Sequence, residues 1–128
     1  PLLDPSMTRM ADETKVRSPD MGMTECSQCY RAYLPNAAQR LHPYAAPLES
    51  RRLAGLPPAL IASAQHDMLH IEAEKYAAEL IAAGVPTEVT RHVDASHNAI
   101  AASPAALADV TAFFRKRLRA PVATVAAQ

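Results

Sequence analysis

Residues 59–118 predict an α/β fold built on a parallel sheet, and three observations carry that expectation. A short apolar run follows a double proline, an amphipathic stretch behind it ends at a single glycine, and an alternating segment then leads into a last amphipathic stretch opening on Ser103-Pro104. The order strand, helix, strand, helix calls for a right-handed crossover, with helices covering the sheet. Two parallel strands cannot bury their own faces, so this segment calls for further strands beside it.

The chain opens on Pro1-Leu2-Leu3-Asp4-Pro5, with neither an initiator Met nor a signal-peptide pattern. It reads as the tail of a strand leaving for a loop, and the expectation is a segment whose beginning lies elsewhere. Residues 1–19 are polar, Met-rich and proline-bounded, so they read as loop with at most a helical turn near 7–10. From 24 to 34 the apolar residues fall at Cys26, Cys29, Tyr30, Tyr33 and Leu34, which is helical spacing, and Pro35 sits just past the end. Residues 36–47 read as an irregular link, followed by a short turn at 50–53 that Gly55-Leu56-Pro57-Pro58 stops.

Ala59-Leu60-Ile61-Ala62-Ser63-Ala64 is too short for a helix and does not alternate, which suits a strand buried on both faces. The helix over 70–83 carries Ala73, Tyr76, Ala77, Leu80 and Ile81 on one stripe. Glu72 and Glu74 lie in its first turn, where they suit the helix dipole, and Gly84 supplies the stop. Over 87–93, Val89, Arg91 and Val93 point one way and Glu88, Thr90 and His92 the other, as in a half-exposed strand at a sheet edge. A loop over 94–98 follows. The last helix, 103–118, is expected to bury Leu107, Val110, Phe114 and Leu118, to end on Arg115, Lys116, Arg117 and Arg119, and to close at Pro121. Residues 119–128 read as a frayed tail.

Composition narrows the function classes. Of 128 residues, 49% are hydrophobic and 20% charged, which sets general disorder aside. Thirteen basic residues balance 13 acidic ones, so no basic excess points to nucleic acid, and no cationic amphipathic stretch points to a membrane surface. The apolar runs are far too short to span a bilayer. Cys26 and Cys29 have a spacing that permits redox or metal chemistry, but no second Cys or His pair lies at zinc-ribbon distance, and packed thiols on a helix are the better reading. The compartment stays open, with the cytoplasm favoured.

In open α/β sheets, sites form at the carboxyl ends of strands. Asp67 directly follows the first strand and His97 lies beyond the second, so both fall on one sheet edge. A carboxylate that holds an imidazole in the right tautomer, and stabilises the imidazolium, is what a triad asks of its acid and base. The chain order serine, acid, histidine in α/β-hydrolases fits its last two members here. Against this stand plainer readings: Asp67 as a helix cap in an unrelated doubly wound domain, and His97 as a solvated loop residue. His66, Asp67 and His70 form H-D-x-x-H, but no third ligand group is evident and a strand-to-helix junction does not put His66 on the helical face, so no metal is expected. Ser96, next to His97, is poorly placed for activation.

The wording around these residues resembles the hormone-sensitive-lipase-like serine esterases of the α/β-hydrolase fold. Gly55-Leu56-Pro57-Pro58-Ala59 leads into a strand and then Asp67-Met68-Leu69; Glu72, Tyr76-Ala77, Leu80 and Ala83-Gly84-Val85 follow. Ala46-Pro47-Leu48 is similar to that family's Ser-Pro-Leu link, and Leu2-Leu3-Asp4-Pro5 to its strand-end "Y-P-x-L-D". The chain departs from the pattern at Met68, where Pro is usual, at His70-Ile71, and at His97-Asn98-Ala99, where His-Gly-Phe is usual.

The resemblance implies that residues 1–128 form the C-terminal part of one α/β-hydrolase domain, incomplete without an N-terminal half. Residues 1–58 would be a loop and helical linker region, and 59–118 would carry the triad acid Asp67 and base His97. Gly22, Gly55 and Gly84 stand singly, so the chain holds neither a Gly-x-Ser-x-Gly elbow nor a His-Gly-Gly-Gly segment. It is therefore expected to lack the nucleophile and to be inactive by itself. The implied function is carboxylic ester hydrolysis of a small or medium acyl ester, with Met68, Leu69 and Ile100 as pocket wall and no cofactor. The implied partners are the N-terminal segment of the same hydrolase and a second copy associating through 87–93. A small-ligand-binding module without catalysis, on the same fold, is the alternative.

Overall fold

The computed structural model describes residues 18–20 and 22–118. The expected turn near 7–10, the 2–5 motif, Arg119, Pro121 and the tail lie outside the described residues. Helix α1 spans Met23–Tyr33, and at its start the Glu25 carboxylate accepts the Gly22 N–H at 2.7 Å, which satisfies a donor that the helix cannot. At its far end Arg40 donates to the Leu34 and Pro35 carbonyls at 2.8 and 3.3 Å.

The link to the sheet is more ordered than expected. Asn36 accepts the Ala38 N–H at 2.9 Å and starts a 3-10 turn over Ala37–Leu41, and Pro47 opens another over Pro47–Glu49. The turn expected at 50–53 lies instead at Leu53–Leu56, where Gly55 takes φ 79°. Side-chain turn chemistry and a proline at the first helical position supply local structure where no apolar period exists.

Strand β1 is Ala59–His66 and strand β2 is Thr87–Ser96, paired in parallel from Ala59 with Thr87 to Ala64 with His92. The next pair is His66 with Ser96, so β1 advances two residues while β2 advances four (66 − 64 against 96 − 92). Those extra residues belong to the segment expected as loop, which continues the strand through Ser96. Helix α2, His70–Ala82, crosses between the strands and ends in a Schellman arrangement: Val85 N–H donates to the Leu80 carbonyl at 2.9 Å, Gly84 N–H to Ile81 at 3.0 Å, and Gly84 holds φ 79°. A one-turn helix α3, His97–Ile100, follows β2, and α4 spans Pro104–Arg117 with Ser103 accepting the Ala106 N–H.

The two long helices cover opposite faces of the sheet. On the α2 side, Arg91 binds Glu74 through Nε at 2.6 Å and through Nη2, and the Ser63 hydroxyl donates to the same carboxylate. On the α4 side, Lys116 and Arg117 meet Glu88 at 2.9 and 3.0 Å, and His92 approaches Asp109 at 3.3 Å. These polar ties correct the expected stripe of α4. Ala106 and Phe113 are buried, whereas Leu107 (53%), Phe114 (52%) and Leu118 (76%) are exposed and Val110 is half-buried. Ala106 and Phe113 are buried on the side where Asp109, Lys116 and Arg117 pair with His92 and Glu88 of β2, so the buried face differs from the one hydrophobicity alone would choose.

The core is split. Leu53, Leu80 and Val85 form one cluster with Ala59, Ile61 and Tyr76 around it, and Cys26 packs with Met68, Tyr30 and Leu69 in another. Two further expectations change. Ala59–Ala62 are only half-buried, because among the described residues β1 pairs with β2 alone. On α2, Ile81, expected on the buried stripe, is 55% exposed, while Glu72 in the first turn is 1% exposed.

The Arg91 guanidinium holds the Glu74 carboxyl below its ordinary value of 4.5, against the opposing effect of burial. A depressed folded value contributes stability that is present above 4.5 and is lost as pH falls through the folded value. In the full-length protein, Glu74→Gln is therefore expected to lower the thermal midpoint at neutral pH and to flatten its decline below pH 4.5. Parallel acid limbs for the two proteins would refute the pairing as a stabilising contact.

Candidate active site

The site grows from the exit of β1. Asp67 N–H donates to the Ala64 carbonyl at 3.1 Å, and the Asp67 carbonyl accepts the His70 N–H at 3.1 Å, turning the chain from strand into α2. The His70 ring also lies on that carbonyl, with Nδ1 at 2.7 Å. A carbonyl only accepts, so Nδ1–H of His70 is the donor. This locks the backbone of Asp67 from both sides.

The carboxylate of Asp67 divides its oxygens. Oδ1 accepts the Leu69 N–H at 2.9 Å, and Oδ2 lies 2.7 Å from His97 Nδ1 across 30 residues of sequence. Oδ1 thus closes a side-chain turn ahead of α2, whose N-cap is Leu69 and not Asp67, while Oδ2 makes the contact to His97. Nδ1–H of His97 donates to the carboxylate, which leaves Nε2 with its lone pair free to take a proton. The Asp67 side chain is 13% exposed and that of His97 32%, so the acid is shielded while the base keeps an open side.

His97 reaches Asp67 because β2 carries its extra residues just before it. The irregularity after His92 advances β2 beyond β1 and delivers His97 as the first residue of α3. Irregular strand ends next to a site commonly re-aim a side chain in this way.

A cavity of about 280 Å³ adjoins the pair, lined by Asp67, His97, Leu69, Ile100, His70 and Glu72 among others. Leu69 and Ile100 therefore border it. Met68 is placed elsewhere, 3% exposed and packed against Cys26. Leu69 borders the cavity and also packs against the Cys26–Met68 cluster. A larger cavity, about 920 Å³, lies against His42, Tyr44, Leu53, Leu56 and Tyr76 and shares no lining residue with the Asp67–His97 pair. Size does not locate the chemistry here.

The other singled-out residues fall as follows. His66 is exposed at the end of β1 and His70 is buried on the Asp67 carbonyl. Among the described residues, no group of three or more His, Cys, Asp or Glu is placed to hold a metal ion. Cys26 is buried and Cys29 exposed; burial, then the nearby Cys29 and Asp67, push the Cys26 thiol up. Among the described residues no helix is long and apolar enough to cross a membrane.

Sequence reasoning missed Asp20. Its Oδ2 accepts the Asn98 N–H at 2.8 Å across 78 residues. That bond, with Ser96 and the His97 ring nearby, holds its carboxyl below its ordinary value of 3.8. No spacing rule links residues so far apart, and Ser18-Pro19-Asp20 read simply as loop.

A family model described as alpha/beta hydrolase fold matches residues 1–101. No curated protein matches the chain. Among solved structures, the chain is similar to a hyperthermophilic esterase from the archaeon Pyrobaculum calidifontis, at 23% identity and a TM-score of 0.82 over 94% of the chain and 42% of that protein. That identity supports the fold alone. It is also similar to EstE1, a thermostable carboxylesterase cloned from a metagenomic library (26% identity, TM-score 0.74, 86% of the chain and 40% of that protein). A third is EstE5, whose crystals were soaked with p-nitrophenyl butyrate (28% identity, TM-score 0.77, 90% of the chain and 40% of that protein). The chain spans 40–42% of the length of these three proteins.

Proposed function

The chain belongs to the alpha/beta hydrolase family whose model covers its residues 1–101, and on that premise we propose that it supplies the acid and the base of a serine carboxylic ester hydrolase. One observation carries the reading: the 2.7 Å contact between Asp67 Oδ2 and His97 Nδ1 at the carboxyl end of the sheet.

In this mechanism His97 Nε2 takes the proton of a serine hydroxyl as the serine oxygen attacks the ester carbonyl. Asp67 stabilises the imidazolium so formed. His97 then returns the proton to the departing alcohol, leaving an acyl-serine. Water, deprotonated by the same nitrogen, attacks the acyl carbon; the acid leaves and the serine regains its proton. Serine and oxyanion-hole donors come from the preceding segment of the same polypeptide, which packs along the open edge of β1. No step calls on a metal or an organic cofactor.

The substrate is a small or medium acyl ester, with Leu69 and Ile100 against its apolar part and Met68 supporting Leu69 from behind. Residues 59–118 form the part that carries the chemistry, fed by the linker over 1–58. A second copy associates through β2, where Val89 and Val93 stand exposed.

Treatment of the full-length polypeptide with a fluorophosphonate probe tests this reading. A single serine outside residues 1–128 is expected to be labelled, and His97→Ala is expected to slow labelling by about a thousandfold or more. Labelling of His97→Ala at the unmodified protein's rate would remove His97 as the base. Failure of any serine to react would favour a binding module instead.

A further inference from the structure

We propose that Asp20 is a positioning residue for His97, its carboxylate gripping the turn that presents the imidazole. The proposal rests on the reading of His97 as the base.

Helix α3 is a single turn of four residues, and a turn that short has no stability of its own. Its first N–H groups need partners from outside the helix. Ser96 stands at the N-cap, where a serine hydroxyl ordinarily accepts an N–H of the first turn, yet it makes no such bond. Asp20 does that work instead. Its Oδ2 accepts the Asn98 N–H at 2.8 Å, and Ser96 lies beside the same carboxylate. The residue it holds directly is the one that follows His97.

The consequence concerns geometry. The bond from Asp67 to Nδ1 fixes one atom of the imidazole, but it leaves the ring able to follow any shift of the backbone beneath it. Gripping residue 98 restricts that freedom, so Nε2 keeps its aim at the serine. A local cap by Ser96 would satisfy the helix equally well without tying the turn to another part of the chain. The remote carboxylate joins the base to the segment that leads into α1, which packs through Cys26 and Tyr30 against Met68, the neighbour of Asp67. Acid and base are thereby braced from one segment. Asp20 also brings a negative charge near the ring.

The test uses the full-length enzyme, p-nitrophenyl butyrate turnover and thermal unfolding. Asp20→Ala is expected to lower kcat about tenfold to a hundredfold, with KM changed by less than about threefold and the unfolding midpoint held. Asp20→Asn, which keeps an acceptor for the Asn98 N–H but loses the charge, should fall between Asp20→Ala and the unmodified enzyme. Ser96→Ala, which removes the hydroxyl beside the Asp20 carboxylate, should lower kcat severalfold; it carries the test if Asp20→Ala does not fold. Unaltered kcat in Asp20→Ala, or in Ser96→Ala in that event, beside an inactive His97→Ala overturns the positioning role alone. A kcat loss matched throughout by a lower unfolding midpoint overturns it too, because a structural role then suffices. Full activity in His97→Ala overturns the base and, with it, the proposal.

Discussion

Asp67→Asn in the full-length enzyme is expected to lower kcat by about ten-thousandfold while KM and the unfolding midpoint change little. The substitution preserves shape, and Asn can still accept the Leu69 N–H that Oδ1 accepts now. What changes is the group facing His97 Nδ1, where an acceptor at 2.7 Å becomes an amide donor. A donor cannot face Nδ1–H, so the imidazole adopts the other tautomer and carries its proton on Nε2. A protonated Nε2 cannot remove the serine proton, and the carboxylate that contacted Nδ1 is no longer there to stabilise the imidazolium. Steady-state hydrolysis of p-nitrophenyl butyrate, with thermal unfolding followed by circular dichroism, reads both quantities. Turnover within about tenfold of the unmodified enzyme would show that Asp67 does not orient the base.

The isolated 128-residue chain is expected to hydrolyse p-nitrophenyl esters no faster than its own His97→Ala variant, with no burst. Activity is expected to return when the chain is refolded with the preceding segment of its polypeptide. An imidazole held by a carboxylate is a base without a nucleophile, and the three glycines, each alone, leave no room for an elbow or an oxyanion loop. The comparison with His97→Ala matters because exposed imidazoles attack activated esters slowly by themselves. A burst from the isolated chain, absent in His97→Ala, would place a nucleophile within residues 1–128 and overturn the mechanism as drawn.

From residue 59 onward the two strands and two long helices were legible in kind and order because each has a local cause, whereas the one-turn helix α3 in the segment expected as loop was not. The double proline opens β1, the glycine that takes a positive φ ends α2, and Ser103-Pro104 starts α4. The orientation of α4 was not legible. Leu107, Phe114 and Leu118 make the more apolar face, yet Ala106 and Phe113 are buried, on the side where Lys116, Arg117 and Asp109 meet Glu88 and His92 of β2. Periodicity tells which residues share a face; it does not tell what lies opposite. Glu72 shows the same limit: its place in the first turn was legible, its enclosure by the packing was not. The structured link over 37–49 escaped notice because turns made by Asn36 and Pro47 carry no period to detect.

By itself the sequence determined the succession of elements, the stops between them, and the placing of an aspartate and a histidine after consecutive parallel strands. Those follow from backbone preferences acting over a few residues. Only the tertiary structure decided that Asp67 and His97 meet, that two extra residues in β2 deliver the imidazole, and that Asp20 closes on the turn from 78 residues away. Such contacts depend on strand register and on which faces pack together, and these are settled by the whole set of burial and pairing energies at once. No local run of residues encodes them.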